Sequence, residues 1–227
     1  MQEEALHIEL PSRSSGRIGA QKPRAKLTFH FAESTGSLSV ACDVAKLLQK
    51  KTAEGSLVCE DVAGLKTEIA AAEIAAARAR ALRLVEMRDR CAHEITEKLA
   101  TDGYSKSCIS AVVEWLCALR IVDDAHFAEI FVRSKCHAGW GRARIERELR
   151  ARDIEPSALT GWPEDFFEDD DELERAYSIA SRRPMPRLRA FEKTVRFLLG
   201  RGFSMSVATQ AARRVLDERE EHAIAEF

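Results

Sequence analysis

The sequence predicts a mainly α-helical protein: three tandem three-helix repeats in an elongated, curved array, preceded by a small β-hairpin and a short helix. Three observations carry this reading. Only 6 Pro and 11 Gly interrupt 227 residues, which favours long helices over a many-stranded sandwich. From Asp61 onward apolar residues recur at helical spacing, and the stretch from Glu68 to Arg90 is so rich in Ala, Leu, Glu and Arg that intrinsic propensity alone favours helix. Within this helical region the sequence resembles itself at a period near 50 residues, the mark of stacked units that cannot bury their apolar faces alone.

Taken in order, residues 1–26 mix Pro, Ser and Gly with scattered charges and keep no hydrophobic period, so they read as a mobile leader. In 27–60, Leu27-Thr-Phe29-His-Phe31 alternates, Ser34-Thr-Gly36 offers turn chemistry, and Leu38-Ser-Val40-Ala-Cys42 alternates again. That predicts a hairpin followed by a short helix around Val44–Lys50, leaning on the helices beyond it because a lone hairpin is marginal in water. The three repeats then occupy 61–118, 119–168 and 169–217, with a tail at 218–227.

The repeats align through Ile95, Leu99 and Gly103-Tyr104; Ile145, Leu149 and Asp153-Ile154; and Val195, shifted by one, Leu198 and Gly202-Phe203. Each copy is a helix with apolar residues at i and i+4, a residue suited to a left-handed helix end, and an apolar anchor. A further helix follows, its start marked by Ser105, Pro156 or Ser204. A leading helix stands ahead of each pair: Ala81–Arg90, Asp124–Lys135 and Glu172–Arg182.

Composition excludes several function classes. No run approaches the roughly 20 apolar residues of a membrane-spanning helix, so the expected compartment is the cytoplasm. Six cysteines without a C-x-x-C pair argue against a zinc finger or a disulfide scaffold. His93-Glu-Ile-Thr-Glu97 lacks the second His of a zincin box, and the acidic run lacks the spacing of a calcium loop. Gly139-Trp-Gly141-Arg-Ala-Arg lacks the third Gly and the preceding strand of a dinucleotide fingerprint. No nucleophile, base and orienter group together, so a non-enzymatic protein without metal or cofactor is expected.

The formal charge of -2 conceals strong local polarity. Residues 131–152 hold Arg133, Lys135, Arg142, Arg144, Arg147, Arg150 and Arg152 against Glu146 and Glu148. Residues 175–214 hold Arg182, Arg183, Arg187, Arg189, Lys193, Arg196, Arg201, Arg213 and Arg214 among their basic residues, against Glu192 alone. Between them, 164–174 carries eight acidic residues and no basic one. A helix over 187–199 with Leu188, Phe191, Val195 and Leu199 inward sets Arg189, Lys193 and Arg196 on one separate face. On 141–152 the stripe of Ile145 and Leu149 likewise turns Arg144, Arg147 and Arg150 away. Like charges at that spacing repel, so an anionic partner explains them, and the planar guanidinium suits phosphate or carboxylate. Six phosphate contacts on a duplex would give a logarithmic salt slope of about -5. Tyr104, Trp115, Phe127, Phe131 and Phe191 fall on apolar faces as core, whereas Trp140 is open to a stacking role.

The segment Ile121-Val-Asp123-Asp124-Ala-His-Phe127-Ala128, with Phe131-Val-Arg133 and then Gly139-x-Gly141-x-x-Arg144-Ile145-x-x-Glu148-Leu149, resembles the RecX family of recombination regulators. Phe197-Leu-Leu-Gly-Arg201-Gly202-Phe203 is similar to the family's third-repeat signature, and Arg88-Asp-Arg90, Glu97-Lys-Leu99 and Gly103-Tyr104 to its first, together spanning roughly 80–217. Asp123 or Asp124 serves as a helix cap, Phe127 packs inward, and Ala128 lets a neighbouring helix approach. Asp153 departs from the family's usual Gly, a cost of about 1 kcal/mol or less if that site is left-handed.

The resemblance implies a monomeric, non-catalytic regulator. It would bind the RecA recombinase filament and its single- and double-stranded DNA, modulating ATP hydrolysis and strand exchange. The contacts expected on the basic faces are Arg133, Lys135, Arg142, Arg144, Arg147, Arg150, Arg182, Arg183, Arg187, Arg189, Lys193, Arg196 and Arg201. A helix-turn-helix DNA-binding regulator and a protein-only helical adaptor are the competing readings.

Overall fold

The alternation in Arg24–Phe31 becomes a strand because Ala25, Leu27 and Phe29 share one face and are buried, while Lys26 and His30 face outward. A computed structural model of the chain describes residues 6–11, 22–31, 34–57, 59–167, 171–184 and 188–225, and divides after Asp123 into two compact units.

In the first unit, strands β1 (Leu6–Glu9), β2 (Arg24–Phe31) and β3 (Ser34–Ala41) form an antiparallel sheet in that order. Helix α1 (Cys42–Ala53) presents Val44, Ala45 and Leu48 to the core. Helix α2 (Val62–Met87) starts where the Asp61 carboxylate accepts the Gly64 N–H at 2.7 Å. Its buried Ala72, Ala76, Ala77 and Ala81 let neighbouring elements approach closely. Helices α3 (Ala92–Asp102) and α4 (Lys106–Ala118) complete the first repeat, and all of these elements share one apolar core. The hairpin and short helix thus lean on the first repeat as their marginal size requires.

Two expectations change here. The stretch read as leader contains β1, with Leu6 opposite Phe29 and Ile8 opposite Leu27; a four-residue strand is too short to leave a visible period. Ser34 to Gly36 lie within β3 rather than in a turn, and Phe31 pairs with Ser34. Gly36 is needed instead for packing, since a Cβ there would lie 2.8 Å from the Phe29 ring.

The second unit holds α5 (Asp124–His137), α6 (Arg142–Arg150), a 3-10 turn (Pro156–Ala158), α7 (Asp171–Ser181), α8 (Ala190–Gly200) and α9 (Met205–Ala225). Asp123 takes the position ahead of α5, and Ala128 is fully buried. The helix expected from Pro156 is reduced to that 3-10 turn, because Gly161 at φ 72° and Pro163 follow within a few residues. The tail 218–227 continues α9 as far as Ala225.

The three repeats turn the same corner. Gly103 (φ 91°), Asp153 (φ 57°) and Gly202 (φ 91°) all adopt the left-handed conformation expected of them. Each is followed by a buried anchor, Tyr104, Ile154 or Phe203. The third repeat needs no shift in register: Thr194, not Val195, is the buried counterpart of Ile95 and Ile145.

Candidate anion-binding interface

The basic residues of the second unit fall into three groups, separated by what each side chain touches. The first group is structural. The Arg144 guanidinium lies 3.7 Å from the centre of the Trp140 ring and donates to the Gly200 carbonyl at 3.4 Å. Arg201 donates to the Ala138 carbonyl at 3.0 Å and covers Phe197, and Arg175 donates to the Trp140 carbonyl. These three join the second repeat to the third. They flank a backbone contact in which the Gly141 N–H donates to the Arg201 carbonyl at 2.9 Å. A Cβ on Gly141 would lie 2.3 Å from the Gly202 carbonyl carbon, and one on Gly202 would lie 2.3 Å from the Arg144 Cβ. The Gly-x-Gly and Arg-Gly-Phe signatures are therefore two halves of one close-packed junction. Gly139 belongs to it too, since its Cβ would collide with Ile179.

Arg144 and Arg201 are thus not turned out to solvent as expected, and Trp140 is no open stacking platform, because Arg144 covers it and Lys135 lies 5.0 Å from its centre. Helical periodicity places Arg144 away from Ile145 and Leu149 correctly, but it carries no information about the neighbouring repeat that covers that side. Arg175 and its role went unnoticed in the sequence; it stands out only once α7 is seen to pass beside Trp140.

A second group forms surface ion pairs. Arg133 meets Glu129 at 3.1 Å, Arg142 meets Glu146 at 2.8 Å, and Arg150 meets Glu146 at 3.4 Å and Glu155 at 3.6 Å. Arg152 pairs with Glu148 at 3.0 Å. Apart from the part-buried Arg152–Glu148 pair, such exposed pairs contribute about 0–1 kcal/mol each, so a phosphate can displace the carboxylate at little cost. Arg189 also belongs here, paired with Glu192 at 3.8 Å. It is not on the α8 face with Lys193 and Arg196. It precedes the helix in a left-handed conformation at φ 54°, and Leu188 beside it is 76% exposed rather than core. Arg187 lies outside the described residues.

The third group is available. Arg147, Arg182, Lys193, Arg196 and Arg213 are exposed and form no salt bridge among the described residues. Arg183 is exposed with its guanidinium 4.4 Å from the Phe197 ring centre. On α6 and α8, Arg147 and Arg196 occupy equivalent repeat positions, two residues after Ile145 and Thr194 respectively. The corresponding residue of α3 is Glu97. Among the described residues no His, Cys, Asp and Glu side chains gather into a metal-binding group, and no helix is long and apolar enough to cross a membrane.

Residues 77–116 match the profile of the RecX first three-helix domain, and residues 123–159 that of the RecX second three-helix domain. The chain is 34% identical over 151 residues to the regulatory protein RecX of Halorhodospira halophila, a match that spans 64% of this chain and 91% of that protein. The chain belongs to the RecX family. A second RecX regulatory protein, from Herminiimonas arsenicoxydans, is 33% identical over 147 residues, spanning 63% of this chain and 95% of the relative. The crystal structure of RecX from Lactobacillus salivarius superimposes with a TM-score of 0.52 at 20% identity, over 64% of this chain and 97% of that one. Another crystal structure of a regulatory protein RecX gives 0.54 at 23% identity, over 84% and 94%. RecX structures thus share the fold of this chain. The Gly141–Gly202 junction joins the second repeat that the family profile covers to the third.

Proposed function

We propose that this RecX-family chain is a non-catalytic regulator that binds the RecA–DNA filament and modulates recombinase ATP hydrolysis and strand exchange. The observation that carries this reading is the matched pair Arg147 and Arg196, exposed and without salt bridges among the described residues, at equivalent points of successive repeats. Arg182, Arg183 and Lys193 add exposed basic groups on the second unit, while Arg133, Arg142, Arg150 and Arg189 exchange weak carboxylate partners for filament anions. Arg144 and Arg201 act by holding the two repeats together rather than by touching the partner. On the expected division into repeats at 61–118, 119–168 and 169–217, all of these exposed basic residues lie in the last two copies, so that DNA and recombinase contacts concentrate there.

Full-length protein added below equimolar amounts to RecA on single-stranded DNA should change the rate of ATP hydrolysis; unchanged turnover across a full titration would refute the proposal. Arg147→Glu combined with Arg196→Glu should abolish that change while leaving helicity and melting within about 0.5 kcal/mol of wild type, as for surface substitutions generally. Retained modulation in the double variant would move the contact surface elsewhere. A helix-turn-helix regulator would instead discriminate among random duplexes, and a protein-only adaptor would bind no nucleic acid even at low salt.

A further inference from the structure

A cleft of about 560 Å³ opens within the second unit between α5 and α7, of a size that holds a small molecule. Its polar wall carries three guanidinium groups and an imidazole: Arg133 and His137 come from α5, Arg175 from α7, and Arg182 follows α7, with Asp165 the carboxylate among the lining residues. Arg175 and Arg182 form no salt bridge with any described residue. Arg175 is also under-satisfied: one of its terminal nitrogens donates to the Trp140 carbonyl, but its Nε and Nη1 are buried without an acceptor among the described residues. A buried donor left unpaired is costly, and an anion drawn into the cleft supplies the countercharge this guanidinium lacks. Gly139, Phe166 and Ile179 give the lining an apolar side. Ile179 faces Gly139, and the Arg133 guanidinium lies 5.2 Å from the centre of the Phe166 ring, forming a planar wall of the kind on which a base stacks.

We infer that this cleft binds a nucleoside monophosphate, either free or as one unit of a DNA strand, with the phosphate at Arg175 and Arg182 and the base against Arg133 and Phe166. A bare phosphate would leave the apolar side unused, and an uncharged nucleoside would leave the guanidinium groups unused. The inference deepens the nucleic-acid part of the filament reading and rests on it only for its biological setting, since binding to the cleft requires no recombinase.

The test is titration of the full-length protein with dTMP, followed by calorimetry or by Trp140 and Trp162 fluorescence, with thymidine and inorganic phosphate as controls. Saturable dTMP binding is expected, with thymidine and phosphate each at least tenfold weaker. Arg182→Glu, an exposed position, and Ser178→Phe, which fills the cleft, should each weaken dTMP at least tenfold while keeping the wild-type melting temperature. Arg213→Glu, an exposed change on α9 outside the lining, should leave dTMP binding unchanged. Absence of saturable dTMP binding, or equal binding by wild type and Arg182→Glu, would overturn the inference. Should Ser178→Phe fail to fold, Arg182→Glu alone decides. Competition between dTMP and a short oligo-dT assigns the site to a DNA strand, and lack of competition assigns it to a free nucleotide; either result upholds the site. RecA ATP hydrolysis, measured separately, can fail or succeed independently of this titration.

Discussion

The corner of the first repeat at Gly103 and that of the third at Gly202 have the same left-handed backbone, yet they are covered in opposite ways. Gly202 meets backbone with backbone: Gly141 and Arg144 press so close that no side chain fits on either side. Gly103 is covered by side chains of the sheet extension. Arg24 donates to its carbonyl at 2.6 Å, and Lys22 pairs at 2.6 Å with the neighbouring Asp102, which Arg80 holds from α2 at 2.6 Å. The repeat position that is Asp102 in the first copy is Arg201 in the third. One corner is thus closed sterically by a preceding repeat, the other electrostatically by a segment outside the repeats. This gives Lys22 and Arg24 a concrete structural task, closing the corner of the first repeat from outside the repeats.

If that distinction is correct, the same substitution should have unequal effects at the two corners. Gly202→Ala incurs both the left-handed strain and the overlap with Arg144, so it should cost about 4 kcal/mol. Gly103→Ala has its nearest atom at 3.5 Å, the end of the flexible Arg24 side chain, and should cost only the backbone strain, about 1–2 kcal/mol. Chemical denaturation of both variants checks the pair, and equal losses would dissolve the contrast.

The electrostatic corner should answer to pH and the steric one should not. Burial acts to raise the Asp102 carboxyl, but hydrogen bonds and charge from Lys22 and Arg80 outweigh it and hold the group below the ordinary carboxylate value. Because the folded value is depressed, its contribution is fully present above about pH 4, where the unfolded carboxyl is ionised, and is lost as pH falls through the folded value. Asp102→Asn should cost about 3 kcal/mol at neutral pH, toward the low end for breaking a buried pair, because Lys22 remains half exposed. It should also flatten the acid limb of stability, read by hydrogen exchange of the α3 amides. A variant as acid-sensitive as wild type would place that sensitivity elsewhere.

What could be read from the sequence follows from the range of the signal. Helical spacing and the recurrence of Ile95, Leu99 and Gly103 are local, and they survive into α3, α6 and α8 with boundaries shifted by a few residues at most. The glycines at 141 and 202 could be seen as motif residues, but not as partners, because nothing local states that two loops sixty residues apart touch. The same limit explains the arginines. Periodicity separates Arg147 and Arg196 from the core, but it treats Arg144 identically, although a neighbouring repeat covers it. Strand β1 is missed for a related reason: its partner β2 lies beyond a stretch of Pro, Ser and Gly, and four residues cannot announce their own pairing.

The second repeat tests the corner at its weakest setting, where Asp153 rather than Gly holds φ 57°. An L-residue in this conformation costs about 1–2 kcal/mol, less for Asp, whose short side chain bonds locally. Glycine removes that strain but loses more freedom on folding, by about 0.5–1 kcal/mol. Asp153→Gly should therefore stabilise the protein by no more than about 0.5 kcal/mol, roughly a degree or two in melting temperature for a chain of this size. A gain of this size would show that the backbone geometry, common to all three corners, sets the preference for glycine there. A lower melting temperature would show instead that the Asp153 carboxylate contributes more through its own contacts than its backbone strain removes, making the middle corner a third, side-chain-held kind beside the steric and electrostatic ones.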